Sequence, residues 1–102
     1  MIWDMACQIN GKSVNDYLMN GPNLYSSLVK IQFQMQEFEI LIKADLSEMF
    51  HQIKLLVEDT DALRFVFRFN NEEQRRHFKM VVLPFGAKCS PSITHYIKNL
   101  VA

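Results

Sequence analysis

The chain has 102 residues, of which 49% are hydrophobic and 22% charged, with only three glycines and three prolines. This composition excludes a disordered tail, a collagen-like chain and a low-complexity segment, and the length predicts one domain. Eleven acidic and eleven basic residues cancel, so the total charge does not by itself indicate a nucleic-acid binder. Residues 74–102, however, hold five basic residues and no acidic one, which predicts a local positive face.

The cysteines and the apolar pattern predict an intracellular protein whose compartment is otherwise open. Cys7 and Cys89 lie far apart, without paired or zinc-type spacing, which favours reduced, buried thiols over a disulfide between them. No apolar run approaches the roughly 18 residues that a membrane span needs. The first residues lack the basic start and apolar stretch of a signal peptide. We therefore expect no membrane partner.

The first third of the chain predicts two helices. Ser13, with Asp16 three residues later, forms a weak capping box for a short helix, which Gly21-Pro22 ends. Asn23 is typical of a helix start. An apolar stripe with helical spacing follows at Leu24, Leu28, Ile31 and Met35.

The next segment places a carboxylate at the end of an apolar run. Residues 40–44 are apolar and rich in branched side chains, which predicts a buried strand. Asp45 follows directly, at the carboxyl edge of the predicted sheet, where ligands collect in α/β structures. Two interpretations stay open: Asp45 binds a hard cation such as Mg²⁺, or it caps the turn predicted for residues 46–53.

Residues 62–82 predict a β-hairpin with one aromatic and one cationic face. In the first strand one face carries Leu63, Phe65, Phe67 and Phe69, and the other carries Arg64, Val66 and Arg68. Residues 70–73 supply a polar turn. In the second strand Phe78, Met80 and Val82 alternate with His77 and Lys79.

The last segment predicts a helix with a defined start. Pro84 and Gly86 break the second strand, and Ser90 is the predicted N-cap with Pro91 at the first helical position. The apolar stripe of this helix comprises Ile93, Tyr96, Ile97 and Leu100. Because no cap or glycine ends the helix, we expect the chain to be a truncated piece.

Two strings of the sequence are similar to motifs A and B of reverse transcriptases. Residues 43–53 read KADLSEMFHQI and residues 83–92 read LPFGAKCSPS, with the alternating hairpin between them. Further strings narrow the resemblance to the polymerase of Bel/Pao-type LTR retrotransposons: VNDYL at 14–18, GPNL at 21–24, ED at 58–59, DALRF at 61–65 and FGA at 85–87. The resemblance covers essentially the whole chain, from within the fingers to the palm helix after motif B.

The resemblance implies an α+β fold, the partial fingers–palm of a reverse-transcriptase-like polymerase. Its elements are short helices, an antiparallel β-hairpin and a palm helix. A single partial domain, residues 1–102, then divides into a fingers-side segment (1–39), a palm strand with motif A (40–56), a fingers-like β-hairpin (57–83) and motif B with the palm helix (84–102).

The resemblance also implies a site for a nucleotide and its metal ions. Asp45 resembles the first metal-binding and catalytic aspartate, with the Leu46 carbonyl beside it around Mg²⁺ or Mn²⁺. Two such ions activate the primer 3′-hydroxyl and stabilise the leaving pyrophosphate. Phe50 resembles the aromatic that excludes a ribose 2′-hydroxyl, with ordinary core packing as the alternative. Phe85 and Gly86 resemble the turn against the incoming nucleotide, where glycine lets the backbone approach closely.

The implied partners are a dNTP and a template–primer of RNA or DNA. Four cations of the hairpin are the candidates for contact with template phosphates, which bind Arg and Lys without sequence preference: Arg64, Arg68, Arg76 and Lys79. The alternative is a solvated face whose charge Glu72 and Glu73 offset.

The implied activity is RNA-directed DNA polymerisation, and one required element is missing from the sequence. A Tyr-x-Asp-Asp-like hairpin is absent, since Glu72 and Glu73 are the only acids after Asp61. We therefore expect a catalytically incomplete piece of a polyprotein, marginally stable because its apolar surface and sheet edges are open. The alternative function is a non-catalytic remnant that binds nucleic acid or protein. A third interpretation, an unrelated α+β binding domain, requires both strings to be accidental.

Overall fold

In the computed structural model, which describes residues 3–71 and 74–102, the chain combines helices with one β-hairpin. The elements are α1 (Val14–Tyr17), α2 (Leu28–Gln36), 3₁₀ turns at Met49–Gln52 and Thr60–Leu63, β1 (Arg64–Phe67), β2 (Arg76–Lys79) and α3 (Ser90–Val101). The strands pair antiparallel. The mixed α/β class is confirmed, and the division into fingers and palm stays a prediction. Glu72 and Glu73 of the predicted turn lie outside the described residues.

Helix α1 is a single turn that the predicted capping box holds. The Ser13 N–H donates to Asp16 Oδ2 at 2.7 Å, which forms the reciprocal half of the box. This backbone bond, and then the Ser13 hydroxyl, keep the pKa of the Asp16 carboxyl below its ordinary value of 3.8. The Asn15 N–H also donates to the Met5 carbonyl at 3.2 Å, so α1 is tied to the buried Met5.

Helix α2 begins later than predicted and remains unpacked. Asn23 does not cap it, because its side chain accepts the Tyr25 N–H at 3.0 Å in a local turn. The helix starts at Leu28 instead. Every residue from 25 to 48 is exposed, so its apolar stripe is not covered. The radius of gyration is accordingly 18.0 Å, against about 13 Å for a compact domain of this length.

The predicted buried strand over residues 40–44 is wrong. These residues form no strand, and Ile40 and Ile42 are 82% and 89% exposed. Branched apolar side chains favour a strand, but a strand also needs a neighbour that satisfies its N–H and C=O groups. No described residue pairs with residues 40–44 in a backbone ladder.

The hairpin has the predicted two faces, with shorter strands and one exception. The register pairs Arg64 with Lys79, Phe65 with Phe78, Val66 with His77 and Phe67 with Arg76. Directly opposite residues share a face, so Phe65 and Phe78 lie on the aromatic face, with ring centroids 5.5 Å apart. The ring of Trp3 packs edge-on against Phe65 at 4.4 Å. The exception is Arg76, which shares the aromatic face with Phe67.

The buried core is formed largely by the segment that directly precedes α3 in the sequence. Leu83 and Ala87 are 1% and 5% exposed. The Ser90 hydroxyl, also buried, donates to the Pro84 carbonyl at 2.7 Å. Because this hydroxyl is engaged outside the helix, Ser90 is the first helical residue and Cys89 takes the N-cap position. The start of α3 is therefore one residue earlier than predicted.

Both cysteines are free. Cys89 is half-buried, whereas Cys7 is exposed, so the predicted burial is wrong for Cys7. It lies in a surface turn in which its N–H donates to the Asp4 carbonyl at 3.3 Å. Among the described residues, no helix has the length and apolar character that crossing a membrane requires.

Candidate functional site

A short backbone ladder brings the two motif strings together. The Leu55 N–H donates to the Val81 carbonyl at 2.9 Å, and the Leu83 N–H donates to the Ile53 carbonyl at 2.8 Å. Lys54 and Val82 form the antiparallel bridge between these bonds. The ladder begins directly after the 3₁₀ turn Met49–Gln52 of the first string and ends at the start of the second. Residues far apart in the chain therefore become neighbours at this place.

Two predicted nucleotide-site residues, one from each string, are in contact. The rings of Phe50 and Phe85 meet edge to face, with centroids 4.9 Å apart and planes at 63°. The His51 ring also lies 5.1 Å from Phe85. Phe50 is half-buried and Phe85 is 50% exposed. Edge-to-face pairs contribute about 0.5–1.5 kcal/mol beyond burial, so the contact orients the rings while one of them stays accessible.

The turn that follows Phe85 requires glycine. Gly86 has φ +85°, and a Cβ there would lie 3.0 Å from the Trp3 carbonyl oxygen. The side chain of Asn15 in α1 holds this turn through two hydrogen bonds to its main chain. The Asn15 Nδ2 donates to the Gly86 carbonyl at 3.0 Å, and the Asn15 Oδ1 accepts the Lys88 N–H at 2.9 Å.

Asn15 was not among the site residues predicted from the sequence. It belongs to the VNDYL string, but nothing in that string indicates that its side chain reaches Gly86. The contact joins residues 71 positions apart, and periodicity or capping patterns report only near neighbours.

Asp45 lies on the exposed segment that leads into the first 3₁₀ turn. Its Oδ1 accepts the N–H of Leu46 at 3.0 Å, so one carboxylate oxygen orients the side chain locally. Leu46 is itself 58% exposed. The structure thus brings Phe50, Phe85 and the neighbouring Gly86 to one place. It positions Asp45 through a local contact with Leu46 on the segment before them.

The donor chemistry at Asp45 fits part of a metal shell. A carboxylate and a main-chain carbonyl are the hard oxygen ligands that Mg²⁺ prefers, and Mg²⁺ is commonly held by one or two carboxylates together with substrate phosphates. Within the described ranges, no three His, Cys, Asp or Glu side chains cluster at metal-binding distance. The Asp45 carboxylate and the Leu46 carbonyl are oxygen donors of this kind, and their binding of a metal ion stays a prediction.

The four candidate phosphate-binding cations divide between the two hairpin faces. Arg64 Nη2 and Lys79 Nζ both lie close to Asp61 Oδ1, at 2.9 and 3.3 Å. Arg76 lies on the aromatic face, with its guanidinium 5.8 Å from the centre of the Phe69 ring. Arg76 and Lys79 therefore lie on opposite faces, because side chains alternate along a strand and positions 76 and 79 differ by an odd number.

Arg68 completes the set at the turn end of the hairpin, directly after β1. It lines a surface hollow with Val66, Phe67 and Arg75. Binding of these cations to phosphates stays a prediction. Their basic side chains are nevertheless present on both faces of the hairpin, so a nucleic acid strand would meet positive charge on either side.

Acid is expected to weaken the base of the hairpin through Asp61. Hydrogen bonds from Arg64 and then Lys79 keep the pKa of the Asp61 carboxyl below its ordinary value of 3.8. A carboxyl with a lowered folded-state pKa stabilises the fold above its unfolded pKa, and that stabilisation is lost as the pH falls through the folded value. We expect the urea midpoint to be flat from about pH 7 to 5 and to fall below about pH 4.

The matched comparison for this pH profile is Asp61→Asn against Asp59→Asn. Both change one exposed carboxylate, but only Asp61 contacts the two cations. We expect Asp61→Asn to have a shallower acid limb and Asp59→Asn to follow the unmodified chain. An unchanged acid limb in Asp61→Asn would contradict this assignment.

Comparison of the sequence with models of known protein families gives a match. The sequence model of the family described as reverse transcriptase (RNA-dependent DNA polymerase) matches residues 5–101, a range that includes both motif strings, the hairpin and all of α3. No curated protein and no solved structure shows a significant match to the chain. Members of this family generally use divalent metal ions and act on template–primer nucleic acids. Because the match covers far more than half of its residues, the chain belongs to the reverse transcriptase family.

Proposed function

We propose that the chain is the part of an RNA-directed DNA polymerase that carries its first metal-binding aspartate and its nucleotide-facing turn. The reaction is transfer of a nucleotidyl group from a dNTP to a primer 3′-hydroxyl. The observation that carries the proposal is the contact of Phe50 with Phe85 at 4.9 Å. It joins residues of motifs A and B at one surface, next to the glycine turn.

Each residue of the site has a role that its surroundings permit. Asp45 and the Leu46 carbonyl would hold Mg²⁺ or Mn²⁺, which neutralises the triphosphate and lowers the pKa of the primer hydroxyl. The Phe85 ring packs against Phe50. The Phe50 ring would in turn present an apolar wall to the sugar. A 2′-hydroxyl pressed against this wall would lose water without gaining a hydrogen-bond partner, so the wall favours deoxyribonucleotides. Gly86 lets the main chain approach the nucleotide.

The proposal extends to the origin of the chain. The strings VNDYL, GPNL and FGA support a Bel/Pao-type retrotransposon, in which the chain would be part of a longer intracellular polyprotein. The division into a fingers-side segment (1–39), motif A (40–56), a fingers-like hairpin (57–83) and motif B with the palm helix (84–102) belongs to this proposal. The template–primer would contact the hairpin cations, which are Arg64 and Lys79 on one face, Arg76 on the other and Arg68 at the turn end.

The Asp45→Asn substitution is expected to remove metal-dependent nucleotide binding. In the unmodified chain, Mn²⁺ added with dTTP should broaden the amide resonances of Asp45 and Leu46, because a paramagnetic ion relaxes nearby nuclei. Asparagine keeps the size of the side chain but not its charge, and a neutral amide is a much weaker ligand for a hard dication. The broadening should therefore disappear in Asp45→Asn and persist in the control variant Glu58→Gln. Equal broadening in Asp45→Asn would refute the metal site.

The same preparations test whether the chain is complete as an enzyme. We expect no primer extension on a poly(A) template, because Glu72 and Glu73 are the only acids after Asp61 and one carboxylate is too little to hold two ions against a triphosphate. Extension that Asp45→Asn abolishes would show instead that the chain polymerises DNA alone.

A non-catalytic remnant that binds nucleic acid or protein is the second candidate. The specific observation in its favour is that the hairpin carries basic side chains on both of its faces, with Arg64 and Lys79 on one and Arg76 on the other. The genomic sequence beyond the codon of Ala102, read in all frames, discriminates between the two. An Asp-Asp hairpin encoded there favours the polymerase, and a stop codon in an expressed transcript favours the remnant.

A further inference from the structure

We infer that Asn15 is a positioning residue for the nucleotide-facing turn, although it belongs to neither motif. Its side-chain amide binds the turn at two points, as a donor to the Gly86 carbonyl at 3.0 Å and as an acceptor from the Lys88 N–H at 2.9 Å. A primary amide that donates and accepts in this way pairs with a peptide backbone much as a neighbouring strand does. The inference rests on the proposed function of the turn.

Asn15 is itself held firmly enough to position another segment. Its N–H donates to the Met5 carbonyl at 3.2 Å, and its carbonyl accepts the Leu18 N–H at 3.3 Å. The flanking Ser13 and Asp16 form the capping box of α1, at 2.7 Å. Main chain and side chain of Asn15 are thus both engaged, so its amide offers a fixed partner.

The turn needs a hydrogen-bond partner such as Asn15 to keep one backbone conformation. A glycine with φ +85° has no side chain to restrict it, and glycine visits several backbone conformations at little cost. Phe85 and Gly86 are exposed, so burial alone does not fix the conformation of the turn. Because Phe85 is the residue before Gly86, the conformation of this turn also sets the direction of the Phe85 ring towards Phe50. Asn15 would therefore position the Phe50 and Phe85 rings that face the nucleotide, without touching the nucleotide itself.

The first test measures the turn itself, with Asn15→Ala, Asn15→Asp and, as a matched control, Asn99→Ala on the exposed surface of α3. In Asn15→Ala, exchange of the Lys88 amide should accelerate roughly fivefold or more, the factor that corresponds to one lost hydrogen bond. The Thr94 amide within α3 should not change. Asn15→Asp keeps an acceptor for the Lys88 N–H and should preserve that protection. Asn99→Ala should match the unmodified chain throughout.

The second test measures what the turn does. The nuclear Overhauser contact between the Phe50 and Phe85 rings should weaken in Asn15→Ala, and the affinity for dTTP with Mg²⁺ should fall roughly fivefold or more, under conditions where the Thr94 amide shows that the fold persists. Asn15→Asp should lower the affinity as well, because a carboxylate cannot donate to the Gly86 carbonyl.

The outcomes separate this inference from the proposed function. If Asn15→Ala leaves the Lys88 exchange and the ring contact unchanged, the inference is overturned. It is also overturned if both change while the dTTP affinity stays the same. If the unmodified chain does not bind dTTP at all, the proposed function of the turn fails. The positioning of the turn by Asn15 is then decided by the amide exchange and the ring contact alone.

Discussion

The Leu83→Ala substitution is expected to lower the free energy of unfolding by about 2–5 kcal/mol, the usual cost of a cavity at a buried leucine. Leu83 is 1% exposed, and among the described residues the other buried apolar side chains are only Met5, Pro84 and Ala87. So small a core cannot compensate for the loss, and most of the chain should unfold. Urea denaturation followed by circular dichroism measures the change.

The control for this substitution is Leu100→Ala in α3. Leu100 is 66% exposed, so its truncation should change the stability by no more than about 0.5 kcal/mol. Leu83 also carries the N–H that bonds the Ile53 carbonyl at 2.8 Å, so unfolding around it should separate Phe50 from Phe85. Similar losses for the two leucines would mean that the core does not lie where the structure puts it.

The Gly86→Ala substitution has the second-largest expected effect. Alanine at φ +85° incurs the left-handed penalty of about 1–2 kcal/mol. Its Cβ also lies 3.0 Å from the Trp3 carbonyl oxygen, and because that atom belongs to the backbone, the turn must shift. Overpacking of this kind adds about 1–3 kcal/mol. We expect lower stability together with a lower affinity for dTTP, because the shift moves the Phe85 ring.

Gly11→Ala supplies a matched control for the backbone penalty. Gly11 has φ +76°, and no atom lies within 4 Å of the Cβ it would acquire. It should therefore show the left-handed cost alone and leave nucleotide binding unchanged. The difference between the two variants in urea denaturation isolates the contact with Trp3. Equal costs would contradict a close approach of the Gly86 turn to that carbonyl.

Several features were predictable because their causes lie within a few residues. The Ser13–Asp16 capping box depends on two side chains three positions apart, and it forms as expected. The alternation that defines the hairpin faces follows from strand geometry, and the observed register agrees with it for Phe65 and Phe78. The start of α3 was misplaced by one residue because the Ser90 hydroxyl bonds a carbonyl outside the helix.

Other predictions failed where the outcome depends on a distant neighbour. The branched run at residues 40–44 has the composition of a strand, but no described segment pairs with it, so it stays irregular and exposed. The stripe predicted for α2 is helical from Leu28 to Met35 but not at Leu24, and its helical part is exposed.

Residue order alone was enough to establish the mixed α/β class, the hairpin, the last helix and the two motif strings around Asp45 and Gly86. These depend on propensity, capping and spacing, which act between near neighbours. The resemblance assigned Phe50 and Phe85 to one site, but the contact between their rings and the support of the Gly86 turn by Asn15 are visible only in the folded chain. Each is a contact between residues far apart in sequence, and such contacts follow from how the elements pack together.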